Sequence, residues 1–302
     1  MAAASTAMIG GPGGTKRGGA PMDNDDNRKS RVETGMHVDL AGQQTYSGYL
    51  KLDLLLAAQQ PRTQQHDEVA FIIIHHVQEL WLKLVAHELE AAIAAIRADH
   101  LPPAFKSLAR VTRIQEQLIA AWDVLSTMTP ADYLAFRGAL GQASGFQSHQ
   151  YRLVEFLLGA KDAHMLLPHR HDAEAHARLL AALNAPSLYD EALRILARRG
   201  LPVPQEVLER DFSKAYVPNA RVREIWLSIY RNSQQHFDLY ELAEELVDVE
   251  DWFQQWRFRH MKTVERIIGY KPGTGGSSGV GYLRTALDHS FFPELWEVRT
   301  YL

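Results

Sequence analysis

Between Pro218 and Pro272 the chain has no proline, and from Arg221 to Ile268 its apolar residues recur at three- and four-residue steps until Gly269 interrupts them. A helix interior excludes proline, and a 3.6-residue apolar period is what one buried helix face requires. The spacing predicts one long helix here, or two in near succession. Such a piece must bury a stripe along its length, and packed helices supply the partner for it. Other segments agree. Glu68 to Ala98 places Phe71, His75, Leu82, Val85, Leu89, Ile93 and Ile96 on one helical face. "TPADYLAFRGALG" begins with Thr129 as N-cap and Pro130 at the first helical position, and its Tyr133 and Arg137 share one side. After "GQASG" the period resumes in "FQSHQYRLVEFLLG", and "SLYDEALRILARRG" opens with a Ser-x-x-Asp cap and closes on Gly200. Strand signals are nearly absent, and neither an internal repeat nor a second boundary stands out. The expected architecture is a single all-α helical-bundle domain over residues 45–302. Residues 1–44, rich in glycine and carrying "DNDDNRKSR" without an apolar period, read as a disordered tail.

Composition narrows the function classes. With 302 residues, 46% of them hydrophobic and 23% charged, the chain can bury a full core. Its net charge of -4 provides no basic surplus for nucleic acid or anionic lipid. The absence of cysteine excludes disulfides, thiolate metal sites and iron–sulfur clusters, leaving His, Asp and Glu as metal ligands. No uninterrupted apolar run approaches the roughly 18 residues of a membrane span, and "MAAASTAMIGGPGGTKRGG" lacks a signal-peptide core. A cytoplasmic protein with neither a membrane nor a nucleic-acid partner is expected.

Trp252, Trp256, His260, Val264 and Ile267 fall on one stripe of the long helical interval, with Arg257, Arg259, Lys262 and Arg266 on other faces. A histidine on an apolar stripe is either a core residue bonded to a backbone carbonyl or a ligand to a metal or haem. A second one, His75, leaves both readings open. "HHVQE" sets His75 and Glu79 four apart, compatible with two ligands on one face. The Glu-x-x-His pairs of di-iron bundles are missing, and "HELEA" at His87 lacks the second histidine of a zinc protease. "HMLLPHRHDAEAH" reads as a solvated connection. In "KPGTGGSSGVGYLR", Lys271 precedes the glycines and no strand feeds them, so this is no phosphate cradle. A glycine-rich loop between two packed segments has the anatomy of a mobile active-site lid.

Taken together, "YSGYLKLDLLLAAQQP", "FIIIHHVQELWLKLVAHEL", "YLAFRGALGQASGFQSHQYR" and "RFRHMKTVERIIGYKPGTGGSSGVGYLR" closely resemble the tryptophan 2,3-dioxygenase family, from about Tyr46 to Leu302. The resemblance implies an all-α enzyme with a buried haem b, ferrous when active, assembled as a homotetramer. It implies insertion of both atoms of O₂ across the indole C2–C3 bond of L-tryptophan, giving N-formyl-L-kynurenine. His260 matches the axial iron ligand. Phe71 and His75 match the distal indole pocket, with His75 accepting from the indole N–H. Tyr133 and Arg137 match the next stretch, Arg137 taking the substrate carboxylate, and Thr274 matches a loop residue at the amino-acid end. Tyr46, Tyr49 and Leu50 match a segment that completes a neighbouring subunit's pocket. Ser144 and Gly145 fall where the haem edge is expected. His76 is an additional imidazole beside His75. A haem carrier without turnover and a purely structural bundle are the competing readings. Arg137 with the lid loop favours a small-molecule substrate over the carrier, and a Soret band would exclude the structural bundle.

Overall fold

The computed structural model describes residues 35–302. Most of the expected disordered tail, residues 1–34, lies outside them. The chain divides after Leu56 into a short N-terminal unit and a large one. Among the described residues all regular structure is helical.

The N-terminal unit carries α1 (Tyr46–Leu50), capped by the Thr45 hydroxyl on the Gly48 amide, and most of α2 (Leu52–Ala57). Neither helix buries a residue.

The large unit is built around α3 (His66–Arg97) and α4 (Leu101–Leu125), which form an antiparallel hairpin turning at Asp99. Asp99 takes a left-handed conformation (φ 55°) that costs an L-residue energy. Its carboxylate is held by Arg199 at 2.6 Å. By length and composition α3 is apolar enough to cross a membrane, yet Leu82, Val85, Leu89, Ile93 and Ile96 on its stripe are all buried in the protein core. Then come α5 (Pro130–Arg137), with the Thr129–Asp132 capping box, α6 (His149–Leu158), ending on Gly159, and α7 (Ala173–Asn184). The Ser187–Asp190 box starts α8 (Leu188–Arg198), and α9 (Gln205–Leu208) follows. The proline-free interval is two helices, α10 (Ala220–Arg231) and α11 (Phe237–Ile268). They part at the polar run Asn232–Gln235, where the Asn232 side chain and amide both bond the Ser228 carbonyl. The chain closes with α12 (Val280–Thr285) and α13 (Pro293–Tyr301).

Helix α4 packs against both α3 and α11, while α6 and α8 cover α3. One buried side chain ties the three long helices: Gln78 of α3 donates to the Leu118 carbonyl of α4 (2.8 Å) and accepts from the Trp256 indole of α11 (3.2 Å). A buried amide is stable only when its partners are supplied, so this residue sets the register of the helices that carry the site. Deeper in the core, Leu89 and Leu108 are fully buried. Truncating either to alanine would cost about 2–5 kcal/mol.

The segment read as a solvated histidine connection is partly internal. Ala163–His169 forms a 3₁₀ helix that buries Leu166 and His169, and burial lowers the His169 pKa. Proline and charge marked the exposed side, but the short helix turns one imidazole inward.

Candidate functional site

A cavity of about 620 Å³ opens between α3, α5, α6, α11 and the loop before α12. Its walls include Phe71, His75, Trp122, Tyr133, Trp256 and His260. The size and aromatic lining suit a cofactor together with a small planar substrate.

His75 is presented by α3 one turn after Phe71, and their rings lie 4.0 Å apart. Its Nδ1 lies 2.7 Å from the Phe71 carbonyl. That oxygen can only accept, so the ring proton sits on Nδ1. Burial lowers the pKa of His75, its hydrogen bond to Phe71 opposes the shift, and the neighbouring His76 adds to it. The ring is therefore neutral near pH 7, and Nε2 is left as a hydrogen-bond acceptor at the cavity wall. His76 faces differently, 3.0 Å from the Gln59 amide.

His260, on α11, is held without a hydrogen bond among the described residues. Its ring stacks on Trp122 at 4.7 Å and 12°, with Trp256 on another side at 5.6 Å and 27°. Burial first, and then the charge of His75 across the cavity, pushes its pKa down to about 4. A neutral imidazole held by aromatic packing, with no partner for either nitrogen among the described residues, can donate to the iron of a haem. The apolar walls of Val264 and Ile267 and the two tryptophans complete a donor set that fits a haem.

Arg137 and Thr274 each rest on a backbone carbonyl. Arg137 Nη2 donates to the Pro272 carbonyl (2.6 Å), and Thr274 Oγ1 donates to the Ala143 carbonyl (2.5 Å). Arg137 Nε is buried without an acceptor, and Arg137 itself does not line the cavity, whereas Thr274 does. Tyr133 sits beside Arg137. Burial raises the phenol's pKa, and the arginine's hydrogen bond and charge pull it back.

The glycine loop is a hydrogen-bonded turn, with Gly273 N–H donating to Ser277 O and Gly276 N–H to Gly273 O. Gly279 shows why side chains are excluded: its φ is +63°, and a Cβ there would lie 2.5 Å from the Lys271 carbonyl. Ser144 and Gly145 line the cavity under this loop, where a Cβ on Gly275 would come within 2.8 Å of Ser144 Cβ. Phe71, His75, Tyr133, Ser144, Gly145, His260 and Thr274 thus share one cavity. Tyr46, Tyr49 and Leu50 belong to the N-terminal unit and are exposed.

Sequence reasoning passed over Trp122 and the cluster Tyr151, Arg152, Glu155 and Arg257, all on the same lining. Arg257 was assigned to a face away from the apolar stripe, yet it is buried on Glu155. The available signal was Arg152 and Glu155 three apart within the otherwise apolar stretch "YRLVEFLL".

The description "Tryptophan 2,3-dioxygenase" belongs to the family model that matches residues 30–302. Curated relatives carry the same name. That of Geobacillus thermodenitrificans is 56% identical over 281 residues, covering 93% of this chain and all of the relative. That of Bacillus cereus is 55% identical over 277 residues, covering 92% and 99%. That of a Polaromonas species is 58% identical over 263 residues, covering 87% and 90%. Similarity at that level over nearly full length, in a helical chain whose half-buried His75 and His260 line one aromatic cavity, places the protein in the tryptophan 2,3-dioxygenase family.

Proposed function

We propose that the chain is a haem-dependent dioxygenase that inserts both atoms of O₂ across the C2–C3 bond of L-tryptophan to give N-formyl-L-kynurenine. The observation that carries the site assignment is the pair of imidazoles on one cavity. His260 has no hydrogen-bond partner on either nitrogen among the described residues, and His75 has one nitrogen committed to a carbonyl and the other available as an acceptor. In this reading His260 holds the iron of a haem b, which supplies the activation of O₂ when ferrous.

The remaining work belongs to the chain's own groups. Phe71, Tyr133 and the tryptophans exclude water from the indole. His75 Nε2 accepts from the indole N–H and fixes which edge of the ring faces the iron, a positioning role. Arg137 takes the amino acid's carboxylate by exchanging the Pro272 carbonyl for it, since a guanidinium binds a carboxylate more strongly than a neutral oxygen. Thr274 accompanies it at the ammonium and carboxylate end. Because Pro272 and Thr274 lie at the start of the glycine turn, that exchange couples substrate arrival to movement of the loop.

A homotetramer in which Tyr46, Tyr49 and Leu50 complete a neighbour's pocket is part of the same proposal. Its support is apolar exposure: Tyr46 and Tyr49 are 76% and 71% exposed, and Leu54 and Leu56 are exposed alongside them. A cytoplasmic setting is consistent with a chain that carries no cysteine. The purified protein should show a Soret band that shifts on adding L-tryptophan. Turnover under ¹⁸O₂ should place two labelled atoms in the product. Absence of the band, or one labelled atom only, would refute the assignment.

A further inference from the structure

Of the two adjacent histidines on α3, the cavity uses only the first. Consecutive helix residues point about 100° apart. His75 therefore lines the cavity, while His76 meets the segment that leads into α3. There the Gln59 side-chain amide lies 3.0 Å from His76 Nδ1 and can donate to it. Gln59 stands three residues beyond Leu56, where the N-terminal unit ends. Between α2 and α3 the chain has no helix, and a second hold lies nearer its far end. The buried Glu68 carboxylate accepts from the Arg62 and Thr63 amides, each at 2.8 Å, and from the Thr63 hydroxyl. Gln59 thus meets α3 at residue 76, and Arg62 and Thr63 meet it at residue 68. The connection is a strap running back along about 12 Å of the helix. Its Glu68 end is secured by one carboxylate with three donors, and its other end by a single side-chain bond to His76.

We propose that His76, through Gln59, is a positioning residue for the neighbouring subunit's pocket: it fixes the point from which the arm bearing Tyr46, Tyr49 and Leu50 sets out. The inference rests on the shared-pocket reading given above and names what aims the arm. Helices α1 and α2 bury no residue, so the arm has no core of its own to orient it. What directs such a segment is where it is rooted. The effective concentration of a tethered group falls roughly as the −3/2 power of tether length, so more play at the root leaves the neighbour's pocket complete for less of the time. The tie also explains a second imidazole beside His75 that contributes nothing to the cavity lining.

The test reads KM for L-tryptophan, kcat and the Soret spectrum of the holoenzyme. A chain that starts after Leu50 gives the ceiling for any effect of the arm. His76→Ala and Gln59→Ala should each raise KM about three- to tenfold with the Soret band intact. The double variant should do no worse than either, since both remove one bond. His76→Asn, whose Oδ1 has the reach of Nδ1 and can accept the same amide, should restore the wild-type KM. Mixed oligomers, purified through a different tag on each subunit type, show which subunit feels the change. Active subunits carrying His76→Ala are joined to an excess of His260→Ala subunits, which keep the tie but should hold no haem. KM should then return toward wild type, because intact arms serve the active sites. Should His76→Ala not fold, Gln59→Ala takes its place. A KM that stays raised in the mixture would mean that the defect lies within the altered subunit, beside His75, and would overturn the proposal. So would a wild-type KM in both single variants when the shortened chain is impaired, a result that keeps the shared pocket and removes the tie. A shortened chain that assembles with a wild-type KM would overturn the shared-pocket reading itself.

Discussion

His75 and His260 stand on the wall of one cavity and are held by opposite means. His75 is fixed by a hydrogen bond to the backbone one turn earlier on its own helix, which settles its tautomer and leaves a lone pair facing the cavity. His260 is fixed by stacking on Trp122 and Trp256, which settles its plane and commits neither nitrogen. Burial keeps both neutral. On the proposed function, the hydrogen bond readies one imidazole to recognise an N–H, whereas aromatic packing leaves the other free to donate to a metal. Residue type and helical position were alike in the two cases; the support around each ring separates them.

Exchanging the supports for nothing gives the largest effect. His260→Ala should lose stable haem and reduce activity to background, because no other donor on that stripe of α11 replaces the axial bond. A normal haem spectrum in this variant would remove His260 from the site.

Arg137→Lys tests whether a group resting on a backbone carbonyl is waiting for a better acceptor. Losing the forked contact to a carboxylate should cost about 2–5 kcal/mol in kcat/KM, with folding and haem content retained. Unchanged kinetics would place the carboxylate elsewhere. His75→Ala should keep haem and lower the rate by about 10- to 100-fold, a loss of orientation rather than of chemistry. 1-Methyltryptophan sharpens the point: it has no indole N–H to donate, so wild type and His75→Ala should treat it alike. A large remaining difference would indicate some other role for the ring.

The fold was legible wherever local chemistry decides structure. The Thr129–Asp132 and Ser187–Asp190 boxes, the stops at Gly159 and Gly200, and the apolar stripe of α3 are local signals, and the structure carries each of them. The cavity was legible only in part. Phe71 and His75 could be paired by their spacing, but Trp122 reaches His260 across 138 residues of sequence, and no periodicity reports such a contact. Arg257 is the clearest failure, because a charged residue off an apolar stripe reads as solvated. Its partner Glu155, 102 residues away on α6, is what allows it inside. Arg137 is the reverse case: the resemblance assigns it to substrate, and the structure rests it on Pro272.

Smaller effects should follow from the loop and from pH. Gly275→Ala with Gly276→Ala should raise KM and lower kcat several-fold with the haem spectrum intact, because one new Cβ meets Ser144 and the other strains a φ of +85°. Wild-type kinetics would reduce the turn to a connector. On the acid side, kcat/KM should stay flat through pH 6.5 and fall only below it, since the acceptor role needs a neutral His75 and burial lowers its pKa. The apoprotein has a related dependence through His260. Its folded pKa of about 4 lies below that of an unfolded histidine, so the unfolded chain binds the proton first, and stability should drop as pH falls from about 6.5 toward 4. A rate limb at or above pH 7 would contradict the neutral-acceptor role.

The unlike roles of the two imidazoles can be tested most directly by chemical rescue. His260→Gly and His75→Gly apoproteins would each be titrated with haem, with and without free imidazole, and followed by ferrous absorption spectra. His260→Gly should take up haem and recover a histidine-ligated spectrum only when imidazole is present, while His75→Gly should bind haem normally with or without it. Normal uptake by His260→Gly in the absence of imidazole, with rescue needed by His75→Gly instead, would assign the iron to the opposite wall of the cavity.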